Sequence, residues 1–296
     1  MKKQKSKTAF PALFFIMIAL VFGVIAGILR TVQLLHFIDF NTGFYQGLQS
    51  WMIALNVVLV IALIVCLVVT MVDRNKYYYS ISKGKNLLIG LAALVMGMAF
   101  ICYGVTDILN QITGLESHSF LAILQLILKI ASGFSMFYLA LTPARPNRTT
   151  DLIHLVPCIW AAVTLVAMFL KHTMVITVSE NLYNLLRMMA ILMFFLCSAK
   201  YYCGCNDNRT GRWMIFSGML TFILSSITTI PLLIAHFTGH GYLSGHVIES
   251  SFLDLVLMIY IAIVTIVFIV SRRNIAEIEQ QPAEQNTTEE QLTKVE

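Results

Sequence analysis

The chain has 296 residues, of which 58% are hydrophobic and only 12% are charged, and its mean hydropathy is +0.80. Soluble domains contain about 45–50% apolar and about 25% charged residues, so a soluble fold of this composition would leave large apolar patches in water. The composition therefore excludes an ordinary soluble domain. The net charge of +5 is spread over short segments between apolar runs, which gives no indication of a nucleic-acid partner.

Eight apolar runs of about 20 residues follow one another along the chain, which is the length that crosses a bilayer as an α-helix. The runs are continuous rather than alternating, so helices are favoured over a membrane barrel. We therefore predict an all-α, polytopic domain over residues 1–273, surrounded by the lipid bilayer. The predicted spans are Phe10–Leu29, Trp51–Val72, Leu87–Leu109, Ser119–Leu141, Leu152–Phe169, Leu182–Tyr202, Trp213–His236 and Ser250–Val270.

Residues 274–296 have a different composition, rich in Glu, Gln and Thr with almost no large apolar side chain. Such a segment buries too little apolar surface to offset the entropy of ordering. We predict a disordered cytoplasmic tail, which is too short to hold a catalytic domain.

The positive charge predicts the orientation, because Lys and Arg in short connections resist translocation. Fifteen of the 20 Lys and Arg fall at the N-terminus, after the second, fourth and sixth runs, and after the eighth run. The opposite connections hold only Arg30 and Lys171 and carry acidic residues such as Asp39, Glu116 and Glu180. Both termini are therefore predicted to be cytoplasmic, which requires an even number of spans.

Four ionisable side chains are predicted to lie within the outer half of four different spans. A charge at the bilayer centre costs about 2.5–3.5 kcal/mol on insertion scales, so such residues mark buried pairs or functional sites. Lys129 shares one helix face with Gln125 and Ser132, at i, i−4 and i+3. The candidate ligand or ion-pair cluster is Lys129, Arg187, Asp254, Asp107 and Gln125. Two interpretations stay open, namely ion pairs that fix helix register and a polar cavity that binds a small solute.

A histidine-rich stretch, HFTGHGYLSGH, follows the seventh run. If the helix continues through Gly239, His236 and His240 lie one turn apart and form a candidate zinc site with His246. The pair resembles the H-x-x-x-H of ceramidase-like membrane hydrolases, a resemblance that stops at these two residues. The three glycines nearby favour a loop instead.

Two further features carry a resemblance over most of the chain. These are Arg30-x-x-Gln33-Leu34 followed by Asp39-x-x-Thr42-Gly43-Phe44, and the hairpin from Leu152 to Tyr202. Both resemble uncharacterised multi-pass membrane proteins of Firmicutes-type bacteria, a group without an assigned activity. The resemblance implies a location in the bacterial cytoplasmic (cell) membrane.

Three classes of function follow from these patterns. The favoured one is a non-enzymatic membrane component, a sensor or an assembly partner of other membrane proteins. The first alternative is a small-solute transporter that uses the region of Lys129, Arg187 and Asp254, although no inverted repeat is evident. The second is a membrane-embedded, metal-dependent hydrolase at the histidines, although no nucleophile and base can be paired. The sequence does not indicate the ligand.

Overall fold

The computed structural model describes ten segments of the chain, and every structural statement below concerns them. They are residues 12–37, 49–72, 77–78, 87–113, 120–141, 151–172, 179–203, 208–237, 247–271 and 273–274. Their eight α-helices are α1 (Ala12–His36), α2 (Gln49–Val72), α3 (Leu87–Ile112), α4 (Phe120–Leu141), α5 (Val156–His172), α6 (Ser179–Tyr202), α7 (Asn208–Phe237) and α8 (Val247–Ser271).

All eight helices are long and apolar enough to cross a membrane, so the prediction of an all-α architecture with eight helices of membrane-spanning length is confirmed. Most boundaries agree with the predicted runs to within a few residues. A 3₁₀ turn, Asp151–Leu155, precedes α5. The architecture is that of a multi-pass membrane protein.

The end of α1 differs from the prediction. The apolar run stops at Leu29, and Arg30 was assigned to a connection, but α1 continues to His36. Arg30 and Gln33 are both buried. The run length underestimated the helix because these two polar side chains pack inside the bundle.

Six of the helices form a closed ring. Each helix from α3 to α8 packs against the next, and α8 packs back against α3. Aromatic side chains cross the interior at two places, where they join helices that are not neighbours in the ring. Phe100 of α3 meets Trp160 of α5 edge-on with ring centroids 4.7 Å apart, and Phe195 of α6 stacks on Tyr260 of α8 at 6.5 Å.

Helix α7 is the most buried of the eight, because α1 and α2 pack against it from outside the ring. Small residues allow these close approaches, as is common between membrane helices. A Cβ on Gly23 of α1 would lie 3.0 Å from the Phe222 ring of α7. A Cβ on Gly218 of α7 would lie only 2.1 Å from Thr265 Oγ1 of α8.

A short strand pair joins the segment after α2 to the segment after α8, at one end of the bundle. Strand β1 (Tyr77–Tyr78) follows α2 and pairs antiparallel with β2 (Arg273–Asn274), which follows α8. We call this end, where α1 begins and α8 ends, the terminal end, and the opposite one the far end. Residues 275–296, which make up nearly all of the predicted disordered tail, lie outside the described segments.

Candidate functional site

The most buried ion pair in the described segments lies near the far end and joins α6 to α8. Arg187 Nη1 is 2.6 Å from Asp254 Oδ2, and the two side chains are 5% and 22% exposed. Arg187 contacts Thr228 of α7, which lies on the opposite face of that helix from Ser226, the residue that packs against α1. The pair therefore lies in the ring interior. Counted from the start of α6, Arg187 is about 12 Å deep at a rise of 1.5 Å per residue.

Two threonines of α7 also contact this guanidinium. Arg187 Nη1 donates weakly to Thr228 Oγ1 at 3.4 Å and to Thr229 Oγ1 at 3.3 Å. Thr228 Oγ1 in turn donates to the Leu224 carbonyl at 3.1 Å, which leaves its lone pairs free to accept. One arginine nitrogen thus connects α6, α7 and α8.

The polar stripe of α7, comprising Ser217, Thr221, Ser225 and Thr228, is buried throughout. One explanation for such a stripe is that hydroxyls satisfy the carbonyl that Pro231 frees four residues earlier, at Ile227. Within the stripe, the Ser217 hydroxyl donates to the Met214 carbonyl, and the Thr228 hydroxyl donates to the carbonyls of Leu224 and Ser225. Neither donates to Ile227, and Thr221 Oγ1 has no partner among the described residues. The stripe therefore serves contacts between helices at Thr228 rather than repair at the proline.

A second buried arginine contacts α6 one turn from Arg187, on the same face of the helix. The Arg30 guanidinium sits 5.3 Å from the ring centroid of Tyr183, one turn before Arg187 on α6. Arg30 Nη1 donates to Gln33 Oε1 at 3.1 Å, and Gln33 Nε2 donates to the Trp51 carbonyl at 2.7 Å. The Tyr183 hydroxyl donates to Asn56 Oδ1 at 2.7 Å. This network ties α1 and α2 to the helix that carries Arg187.

Lys129 forms a separate pair. Its ammonium contacts Asp107 Oδ2 across the α3–α4 interface, and the two side chains are 17% and 27% exposed. Ser132, predicted to share the face of Lys129, is fully buried and donates to the Leu128 carbonyl. Gln125 makes no hydrogen bond to another described residue. The five candidates thus do not form one cluster: the structure contains two pairs, and Gln125 belongs to neither.

The candidate zinc ligands fall outside what the structure describes. His236 lies in the last turn of α7, but its side chain is not described, and His240 and His246 belong to the segment 238–246. Within the described segments, no group of three His, Cys, Asp or Glu side chains is arranged to hold a metal ion. The zinc site stays a prediction.

No family model, no curated protein and no solved structure matches the chain. Sequence reasoning missed Arg30, Gln33, Tyr183, Thr228 and Thr229 as site residues. A signal was available for Arg30 and Gln33, which are spaced three apart and share a face if the first helix extends past its apolar run.

Proposed function

We propose that the protein is a non-enzymatic solute sensor of the bacterial cell membrane, with both termini in the cytoplasm. The far end of the bundle then faces outward, and the site around Arg187 lies in the outer third of the membrane. The distribution of Lys and Arg supports this orientation. The resemblance to bacterial multi-pass membrane proteins supports the location.

One observation carries the proposal: a nearly fully buried guanidinium is held through a single nitrogen by groups on two other helices. A charge at this depth is costly, and an intramembrane ionisable residue marks a functional site by default. A solute that binds Arg187 must change its contacts with Asp254 on α8, because both compete for the same cation.

The fold offers a route by which this change reaches the cytoplasm. Asp254 lies near the start of α8, which ends at Ser271, and β2 begins two residues after that end. Since β2 pairs with β1 in the α2–α3 connection, a shift of α8 moves two cytoplasmic segments together. Those segments are the surface that a cytoplasmic partner would detect.

The binding half of the proposal is tested by thermal unfolding of the purified full chain against amino acids, organic acids, sugars, nucleosides and polyamines. One class is expected to raise the unfolding temperature, since a ligand stabilises the state that it binds. Proteoliposomes should bind the labelled compound without accumulating it. Accumulation of the compound would show that the protein is a transporter rather than a sensor. If no class of solute raised the unfolding temperature, both hypotheses would be rejected.

The relay half is tested by the rate at which Arg273→Cys reacts with a maleimide, in a chain whose six natural cysteines are replaced. The solute should change this rate in the parent. It should bind without changing the rate in Asp254→Asn, because the link from Arg187 to α8 is lost. Asp254→Glu keeps the charge and serves as the matched control. An equal response in Asp254→Asn would contradict the relay.

A further inference from the structure

Five buried polar atoms have no hydrogen-bond partner among the described residues, and all five can donate. They are Trp160 Nε1, Thr164 Oγ1, Arg187 Nε, Tyr202 Oη and Thr221 Oγ1. Native structures leave few such groups, and each calls for an explanation. Indole and guanidinium nitrogens cannot accept hydrogen bonds, so the partner they lack is an acceptor.

Two of these donors lie at the same depth in the bundle. Arg187 lies eight residues after the start of α6, and Thr164 lies eight residues before the end of the antiparallel α5. Both are therefore about 12 Å from the far end. Trp160 reaches across the interior to Phe100, and Thr164 follows it by one helical turn, on the same face. The Thr164 hydroxyl therefore faces the interior that Arg187 occupies.

One edge of the guanidinium makes no hydrogen bond to a described residue. Its ion pair and both of its hydrogen bonds use Nη1, and Nε is buried without a partner. The edge formed by Nε and Nη2 carries two parallel N–H groups, which match the two oxygens of a carboxylate.

We propose that the Nε–Nη2 edge of Arg187, assisted by the Thr164 hydroxyl, binds the carboxylate of a small monocarboxylic solute. This assignment rests on the proposed function and names its ligand class. A monoanion fits better than a phosphate dianion, because Asp254 already places one negative charge on this guanidinium and the surroundings are apolar. The bound carboxylate repels Asp254, which weakens its hold on Arg187 and starts the relay through α8.

Trp160 provides the reporter for the test. Trp51→Phe and Trp213→Phe leave it as the only tryptophan of the three in the chain. The purified full chain in lipid nanodiscs is titrated with acetate, butyrate, benzoate and inorganic phosphate, and with butyramide as the neutral isostere of butyrate. At least one monocarboxylate should change the fluorescence saturably, whereas phosphate and butyramide should not.

Four variants locate the contact. Arg187→Lys keeps the charge but loses the fork, so binding should weaken about tenfold or more. Thr164→Val keeps the shape without the hydroxyl and should weaken binding about fivefold. Asp254→Asn removes the competing charge and should tighten binding. Lys200→Gln, at an exposed position on the terminal end of α6, should bind like the parent.

Each other outcome overturns the assignment. Equal binding of butyramide would show an apolar pocket, and an unchanged affinity in Arg187→Lys would show that the fork is unused. No saturable response to any monocarboxylate would show that water serves the orphaned donors. If another solute class binds and depends on Arg187, the carboxylate assignment fails while the sensor stands. If no class binds at all, the proposed function fails as well.

Discussion

Arg187 and Lys129 lie at similar depths from the far end, but their surroundings differ. Arg187 is nearly fully buried and receives contacts from α7 and α8, whereas Lys129 and Asp107 keep more exposure in the groove between α3 and α4. A less enclosed pair should cost less to break, because a long lysine side chain that loses its partner can extend toward the head groups. The two pairs therefore provide a comparison within one molecule.

We expect Asp254→Asn to lower the free energy of unfolding by about 3–5 kcal/mol, because it leaves the buried Arg187 cation without its counter-charge. The double variant Arg187→Met/Asp254→Asn should be more stable than Asp254→Asn alone, since no buried charge remains. Unfolding in mixed micelles and folded yield in detergent measure both. A double variant no better than the sum of the two single variants would argue against pairing.

The pair on α3 and α4 is the control for this experiment. Asp107→Asn should cost less than Asp254→Asn, because Lys129 retains access to solvent or head groups through its long side chain. The reverse order would show that burial does not determine the cost of breaking these pairs.

Between elements, the closest approach of a described glycine is that of α7 to α8. A Cβ at Gly218 would lie 2.1 Å from Thr265 Oγ1 and 3.0 Å from its Cγ2, and Thr265 is buried and donates to the Ile261 carbonyl. Gly218→Ala should therefore separate the helices and destabilise the fold by about 1–3 kcal/mol, as overpacking does. The loss of thermal stability in detergent measures this effect.

Gly27→Ala is the matched control in α1. Its Cβ would meet its nearest neighbour, the Ser226 carbonyl oxygen, at 3.5 Å, which is an ordinary contact distance. We expect little change there. Adding Thr265→Ala to Gly218→Ala should restore most of the lost stability, and failure to do so would mean that the clash is not the cause.

The sequence predicts helices better than contacts between them. Run length located all eight spans, but it ended the first at Leu29, because Arg30 and Gln33 are polar and their burial depends on α2 and α6. The depth of Arg187 and Asp254 in the bundle could be estimated from the place of each residue within its apolar run. Their pairing, and the contact of Arg187 with Thr228, depend on how α6, α7 and α8 pack in the ring. No local sequence pattern encodes this packing. The two charged residues of the candidate site could thus be identified from the sequence, but the contact between them could not.

Over the whole molecule, the orientation is predicted from charge, and the connectivity is compatible with it. Eight spans would place both termini on one side of a membrane. The β1–β2 pair brings the α2–α3 connection to the end of α8, and both segments carry basic residues such as Arg74 and Arg272. We therefore expect this basic end of the bundle to be retained in the cytoplasm.

Cysteine labelling of intact cells tests this orientation. Single cysteines at Ser80, Asn208 and Ser117 are introduced into a chain without its natural cysteines, and a membrane-impermeant maleimide is added before or after lysis. Ser117→Cys, in the α3–α4 connection, should react in intact cells, because that connection is acidic and predicted to face outward. Ser80→Cys and Asn208→Cys should react only after lysis, because the basic segments around them resist translocation. Labelling of position 80 or 208 in intact cells would invert the bundle. The Arg187 site would then face the cytoplasm, and a sensor for external solutes would be ruled out.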